Sequence, residues 1–465
     1  MKSTISFLAL AAAVHSSPLQ KRQDPNGHVW DNVDTFCNNQ AYLLRDPAGA
    51  AQVWESTSAG NELDVFIGSQ WVTEHEPNWL LNLEDRVVGG VSGGPTVGGC
   101  GTVQGSCNPL GGINCKEQFN RYGIDKDGNE NIIGKTSYWI FLAVKGMQAK
   151  FRMLKEKLTS DTMVAGFLIP SMVKDFEGNE DQTSDIMKWL AAAIGFGGAL
   201  GGNMPVAGPY LSTGAGILGG IFTAVADKTE PEAIDTSTIS GALVSLFVAT
   251  ASQLDVTLNL AVGGATNIED FKALPNPKPH DDWYKSPVAK FFSTGWFLLN
   301  DDSLAVDNAI KSITENIKPK IANNVMKAAN LRLIADKRIH SQEDCGTATG
   351  RQWMSLRDGE DYCFYVMRYK PFGGNYGESW TEAEEDVYTN MAKYNLGNRD
   401  PYYHAVLDCA LSADKALQVD NLGFNSIPVC YFDLEAFFID HNDGPECNSN
   451  LINKICNPIK ATPIA

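Results

Sequence analysis

The stretch Trp189–Ala226, WLAAAIGFGGALGGNMPVAGPYLSTGAGILGGIFTAVA, runs for 38 residues with ten glycines and no charged side chain. Pro205 and Pro209 divide it into two arms of about 15 residues, each shorter than the roughly 20 that cross a bilayer perpendicularly. Gly197 and Gly201, and again Gly216 and Gly220, stand four apart, which puts small residues on one helix face and lets two backbones approach closely. Ten glycines at about 1 kcal/mol each remove roughly 10 kcal/mol of helix preference. The shape of the stretch must therefore come from its surroundings. A further uncharged piece, Thr236–Leu254, follows it and carries Ile239, Leu243, Val244, Leu246, Phe247 and Val248.

The flanks on both sides are helical in pattern. Tyr138, Phe141, Leu142, Val144, Met147, Phe151 and Leu154 recur at helical spacing, with Lys145, Lys150, Lys155 and Lys157 on other faces, the signature of an amphipathic helix. Met163–Phe176 continues in that style with an interruption at Pro170. Ser303–Ser341 is the second long segment: Val306, Ile310, Ile313, Ile317, Ile321, Val325, Ala328 and Leu331 step by three or four, and Pro319 predicts a kink. Between them Pro275, Pro277, Pro279 and Pro287 make Leu274–Ser286 an extended linker or lid. So much apolar surface has to be hidden in a dissolved molecule. The expected arrangement is a buried apolar helical hairpin wrapped by the two amphipathic segments.

The ten cysteines bracket this centre. Cys37, Cys100, Cys107 and Cys115 lie early, Cys345, Cys363, Cys409, Cys430, Cys447 and Cys456 lie late, and residues 116–344 carry none. An even count suggests disulfides and two separately stapled ends, with the connectivity left open. No Cys-x-x-Cys pair is present, which argues against structural zinc and thioredoxin-like redox chemistry. At the N-terminus Lys2 precedes an apolar run, Ile5–Val14, too short to span a membrane. This reads as a signal peptide, and Lys21-Arg22 reads as a kexin-type processing site that would release a chain beginning at Gln23. The expected localisation is secreted and extracellular.

The division that results is 1–22 signal peptide plus propeptide, 23–130 a Gly/Cys-rich and loop-rich N-terminal module, 131–344 a cysteine-free helical domain with its apolar centre at 189–254, and 345–465 a disulfide-bound C-terminal cap. The fold class is mainly α with an α+β, disulfide-stapled C-terminal part and a central Gly/Ala-rich hairpin. The formal net charge of −18, more negative still once Lys2, Lys21 and Arg22 are removed, argues against nucleic acid as a partner.

Taken together, Lys21-Arg22, the Cys100/Cys107/Cys115 cluster, Trp139–Gly146 and the Gly/Ala-rich apolar centre resemble a group of uncharacterised secreted fungal proteins. That resemblance implies no activity, so no catalytic residue is carried over from it. Architecturally the centre is also similar to the apolar hairpins of helical pore-forming toxins.

Residue patterns for catalysis are sparse. Gly90-Val91-Ser92-Gly93-Gly94 fits the nucleophile-elbow string, but Pro95 and its glycines point to a flexible turn. Gly214-Ala-Gly216-Ile-Leu-Gly219 matches a dinucleotide string without a strand before it. Asp125–Ile132 begins like a calcium loop but has Glu130 where glycine is needed and Thr136 where a bidentate Glu belongs. His75, His280 and His441 sit beside carboxylates without a second spaced ligand. Glu378, Glu382, Glu384, Glu385 and Asp386 read as a solvated helix start. Neither a catalytic set, a metal site nor a cofactor is expected, and the oligomeric state is open. The leading expectation is membrane perturbation, with a lipid membrane or a cell surface as partner. Under it Trp189, Phe196, Leu200, Ile217, Leu218 and Phe222 either enter lipid or fill the core, and Gly197, Gly201, Gly216 and Gly220 pack the arms. The alternatives are a secreted hydrolase and a non-catalytic wall or host-surface binding protein.

Overall fold

The computed structural model describes residues 32–37, 43–68, 77–88, 96–177, 217–222, 224–225, 239–265, 267–277, 283–346, 350–355, 359–371, 378–411, 418–419, 427–428, 430–439 and 457–458. The fold is mainly helical with a small mixed sheet near the C-terminus. Around a long helix gather α1 (Val33–Cys37), α2 (Pro47–Ser56), α3 (Ala59–Ile67), α4 (Trp79–Val88) and α5 (Cys115–Tyr122). The long helix is α6 (Ile132–Leu158), whose N-terminus Asn131 caps by accepting from the Gly134 N–H at 3.2 Å. Asp46 and Asn114 cap α2 and α5 in the same way, at 2.8 Å and 3.0 Å, each satisfying a backbone donor the helix leaves open. Three stretches of the region expected to be loop-rich, Pro47–Ser56, Ala59–Ile67 and Trp79–Val88, are thus helices.

The α6 helix is the hub of the molecule. It touches α3, α4, α5, α9 (Ile239–Ala261), the 3-10 turn Trp296–Leu298 and α11 (Asp302–Ala328). Its polar residues Thr136, Ser137, Gln148 and Lys150 are buried along with its apolar ones. The sequence placed Lys150 on a solvent face and α6 in a sheath. In the fold Lys150 has no exposed surface, because three oxygens converge on its ammonium: the carbonyls of Phe297 and Leu299 at 3.4 Å and 3.0 Å, and the carboxylate of Asp302. Close approach is set by Gly146, where a Cβ would stand 2.0 Å from the Phe297 oxygen.

After α6 the chain makes α7 (Asp161–Ala165) and α8 (Ile169–Phe176), in whose first turn Pro170 stands. There it opens a helix instead of breaking one, since the first turn needs no N–H from it. The short α10 (Pro287–Phe292) follows the proline-rich linker. The α11 helix continues through Pro319 and stops at Ala328. Residues expected to prolong it form strand β1 (Leu331–Asp336) instead. β1 pairs antiparallel with β3 (Asp361–Pro371) and parallel with β5 (Ala436–Ile439). β2 (Gln352–Ser355) and β4 (Glu378–Glu382) also pair with β3, and β6 (Asn457–Pro458) closes the order β2-β3-β1-β5-β6. Between the strands lie α12 (Gln342–Cys345), α13 (Glu385–Lys393) and α14 (Arg399–Leu411). Strand alternation sends Leu331, Leu333 and Ala335 into the main core and Ile334 to the other face, against Cys363, Tyr365 and Met367.

One hydrophobic cluster runs from Phe36 to Ala436 and includes the α6, α9 and α11 cores. Among the described residues four disulfides pin the two ends of the chain: Cys37–Cys115, Cys100–Cys107, Cys345–Cys363 and Cys409–Cys430. Each joins two cysteines of the same end, as two stapled ends require, and disulfides of this number are typical of secreted or extracellular proteins. Cys447 and Cys456 lie outside the described residues.

Candidate functional site

The α9 helix is 23 residues long, and Asp255 is its one charged residue. It is the one helix among the described residues long and apolar enough to cross a membrane. Its inner face presents Ile239, Leu243, Leu246, Phe247, Leu254 and Leu258, each with no exposed surface. Its outer face carries Val244, Val248 and Val256, exposed by 48%, 50% and 55%. About half of the helix is covered, so α9 lies at the edge of the core and is not enclosed at its centre.

Residues 217–222 and 224–225 are helical and pack on this inner face. Ile217, Leu218 and Phe222 are fully buried, and the Phe222 ring meets Phe247 edge-on at 5.8 Å. Phe167, just before α8, stacks on the same Phe247 at 6.0 Å. Of the expected packing glycines, Gly220 is described: a Cβ there would stand 2.8 Å from the Cβ of Pro275, so what it admits is the Pro275 ring of the proline-rich linker. Trp189, Phe196, Leu200, Gly197, Gly201 and Gly216, together with Lys21 and Arg22, lie outside the described residues.

Two polar contacts fasten the C-terminal part of α9. At its C-terminus the Trp79 indole N–H donates to the Ala261 carbonyl at 2.9 Å. In its last third Asp255 accepts from the Val103 N–H at 3.0 Å with one oxygen and from Lys155 of α6 at 2.5 Å with the other. Val103 lies inside the loop closed by Cys100–Cys107. Burial pushes the Asp255 carboxyl up, but the Lys155 hydrogen bond, the Val103 N–H and the lysine charge outweigh it and hold the group below the usual carboxylate range. The same loop grips α6 by a different chemistry: the Gln148 amide donates to the carbonyls of Thr102, Val103 and Gly105, at 2.8–3.3 Å.

A second acidic fastening stands at the end of α8. Asp175 accepts from Lys393 and from the Tyr394 hydroxyl, both at 2.6 Å, while its own carbonyl accepts from Asn390 at 2.9 Å. The next carbonyl, Phe176, accepts from the buried Arg368 at 3.3 Å. Burial raises the Asp175 carboxyl, and the bonds from Lys393 and Tyr394 with the charges of Lys393 and Lys174 bring it below the usual range. Sequence patterning singled out neither aspartate. The available signal was a lone charge inside an apolar helix at Asp255; Asp175 offered none.

Other titratable clusters are structural ties. Asp433 receives Lys320, Asn323 and Lys327 at 3.1, 2.9 and 2.9 Å and joins α11 to the C-terminal cap. Asp336 holds Arg338 and the Tyr365 hydroxyl, each at 2.7 Å. Asp125 uses its carboxylate to accept from the Asp127 and Asn129 N–H groups at 2.9 and 2.8 Å, which makes the calcium-like sequence a turn. His404 pairs with Asp400 one helical turn away, at 3.2 Å. Glu384 stands at the N-cap position of α13 without a side-chain capping bond, and Glu385 and Asp386 sit in its first turn, but Glu378 and Glu382 belong to β4. Ser92, His75, His280 and His441 lie outside the described residues. Among the described residues no group of three or more His, Cys, Asp or Glu side chains is placed to hold a metal ion.

The chain matches no family model, no curated protein and no solved structure.

Proposed function

We propose that this is a secreted, non-catalytic, membrane-perturbing protein of the fungal type its sequence resembles, and that α9 with the apolar segment 217–222 beside it is the part that enters lipid. The observation that carries this reading is α9 itself. At 1.5 Å per residue its 23 residues extend about 34 Å, enough for a hydrocarbon core of about 30 Å. Three valines already face outward from it. Residues 116–344 contain no cysteine, so no covalent bond opposes its departure from α6.

Release of a trapped dye from phosphatidylcholine vesicles, scanned from neutral to acidic pH, tests the proposal. The wild-type protein is expected to release dye, and V244D/V248D, altered only on the exposed stripe, is expected to fold and release none. Absence of release at every pH, or equal release by the variant, contradicts it.

A second reading is favoured by Trp283, which is 64% exposed within the proline-rich linker. A non-catalytic protein that binds a cell wall or host surface through such rings would bind its surface without lysis and would lose binding in Trp283→Ala.

A further inference from the structure

The two acidic fastenings have a common geometry. Asp175 ties α8 to α13 of the C-terminal cap, where Cys345–Cys363 and Cys409–Cys430 lie, and Asp255 ties α9 to the Cys100–Cys107 loop. Each carboxylate thus joins the cysteine-free middle of the chain to one stapled end. We infer that Asp175 and Asp255 together form an acid-sensitive lock that holds α8 and α9 against the disulfide-bonded ends, and that protonating both frees α9 while α6 stays in place.

The contrast with α6 carries the inference. The hold of the Cys100–Cys107 loop on α6 runs through the neutral Gln148 amide, which has no proton to gain in acid. Its hold on α9 runs through the Val103 N–H on the Asp255 carboxylate, and protonating that carboxylate weakens this bond and, on the other oxygen, ends the ion pair that Lys155 of α6 makes with α9.

Among the described residues the charges around the lock are these. Around Asp255, α6 brings Lys155, with Arg152 and Glu156 on the same helix, and the loop 96–108 and segment 217–222 bring none. The neighbouring α7 carries Asp161, and the turn Ile268–Ala273 carries Glu269, Asp270 and Lys272, of which Glu269 and Lys272 pair together. Around Asp175, α13 brings Lys393 at its end with Tyr394 just after it and Glu385 and Asp386 in its first turn, α8 itself brings Lys174 with Glu177 just after it, β3 brings Arg368 paired with Glu384, and α11 commits Lys320 and Lys327 to Asp433.

Both carboxyls are held below their unfolded values. The lock is therefore fully formed above the ordinary carboxylate pKa of about 4 and is lost as pH falls below it.

This inference deepens the membrane proposal, so its test omits lipid. Hydrogen exchange of the full-length protein, corrected for intrinsic rates, is compared between α9 and α6 from neutral pH to about pH 3. In the wild type α9 is expected to lose protection about tenfold below pH 4 while α6 keeps it. D175N/D255N is expected to show that loss at neutral pH, and D307N, which removes an exposed pair with Lys157, to show none. Should the double variant fail to fold, K155M/K393M removes the same two ion pairs from the other side. Simultaneous loss in α6 and α9, or wild-type behaviour of the lock variants, overturns the inference. Acid opening of α9 without dye release would leave the lock standing and contradict the membrane proposal alone.

Discussion

Lys150, with no exposed surface, closes onto the carboxylate of Asp302, 152 residues further along the chain. The contact fixes the middle of α6 to the start of α11, and the Phe297 and Leu299 carbonyls complete the ammonium's partners. Lys150→Met removes the charge and leaves those oxygens without a donor. Stability is expected to fall by about 2–4 kcal/mol, read as a lower urea midpoint at unchanged slope.

Asp433 gives a pH signature. Burial pushes its carboxyl up, but the charges and hydrogen bonds of Lys320 and Lys327 overcome this and hold it at about 2. Its contribution is complete above the unfolded value of about 4 and disappears as pH falls from there through 2. Asp433→Asn leaves Lys320, only 5% exposed at its side chain, without a counter-charge. A loss of about 3 kcal/mol at neutral pH is expected, and the gap between variant and wild type should close between about pH 4 and 2. A gap independent of pH would show that the network acts through shape alone.

Glu84 is a buried carboxylate, 1% exposed, held by donors that carry no charge. It accepts from the Thr96 N–H at 2.9 Å, from the Val97 and Leu110 N–H groups at 3.4 Å, and from the Thr96 hydroxyl. Glu84→Gln turns an amide NH2 toward some of these donors. Despite its near-identical shape it is expected to cost about 1–3 kcal/mol and to loosen residues 96–112, seen as faster proteolysis of that loop.

Gly146 sets two effects against each other. Alanine gains about 1 kcal/mol of helix propensity over glycine, but its Cβ would lie 2.0 Å from the Phe297 oxygen. Overpacking against backbone costs about 1–3 kcal/mol, occasionally more, and a carbonyl this close has to move. Gly146→Ala is therefore expected to lower the thermal midpoint. A rise would mean that the turn at 296–298 yields easily.

The helical class, the long helices α6 and α11, and the two stapled ends were legible because each depends on local pattern or on cysteine placement; Thr236–Leu254 read only as an uncharged apolar piece, and that it is the helix α9 was not foreseen. Nor were helices α2 to α4. Each spans about ten residues, and the glycine run Val87–Gly94 dominated their neighbourhood. Leu331–Asp336 fits a helical step as well as a strand. What decides it is pairing with Val366 and Phe438, which lie 33 and more residues away. Lys150 was placed off the apolar face of α6 for a similar reason: only the converging carbonyls of a distant loop make it interior. The Asp255 fastening was half legible, as one charge in an apolar run, since its partners Val103 and Lys155 lie 152 and 100 residues away.

The most direct test of the membrane account places α9 in depth. Val248→Cys, on the exposed stripe, carries a fluorophore, and the protein is mixed with phosphatidylcholine vesicles whose lipids bear a nitroxide either at the headgroup or in mid-chain. The account predicts that acidification makes the mid-chain nitroxide the stronger quencher. A bound protein quenched only from the headgroup, or not quenched at all, would contradict it.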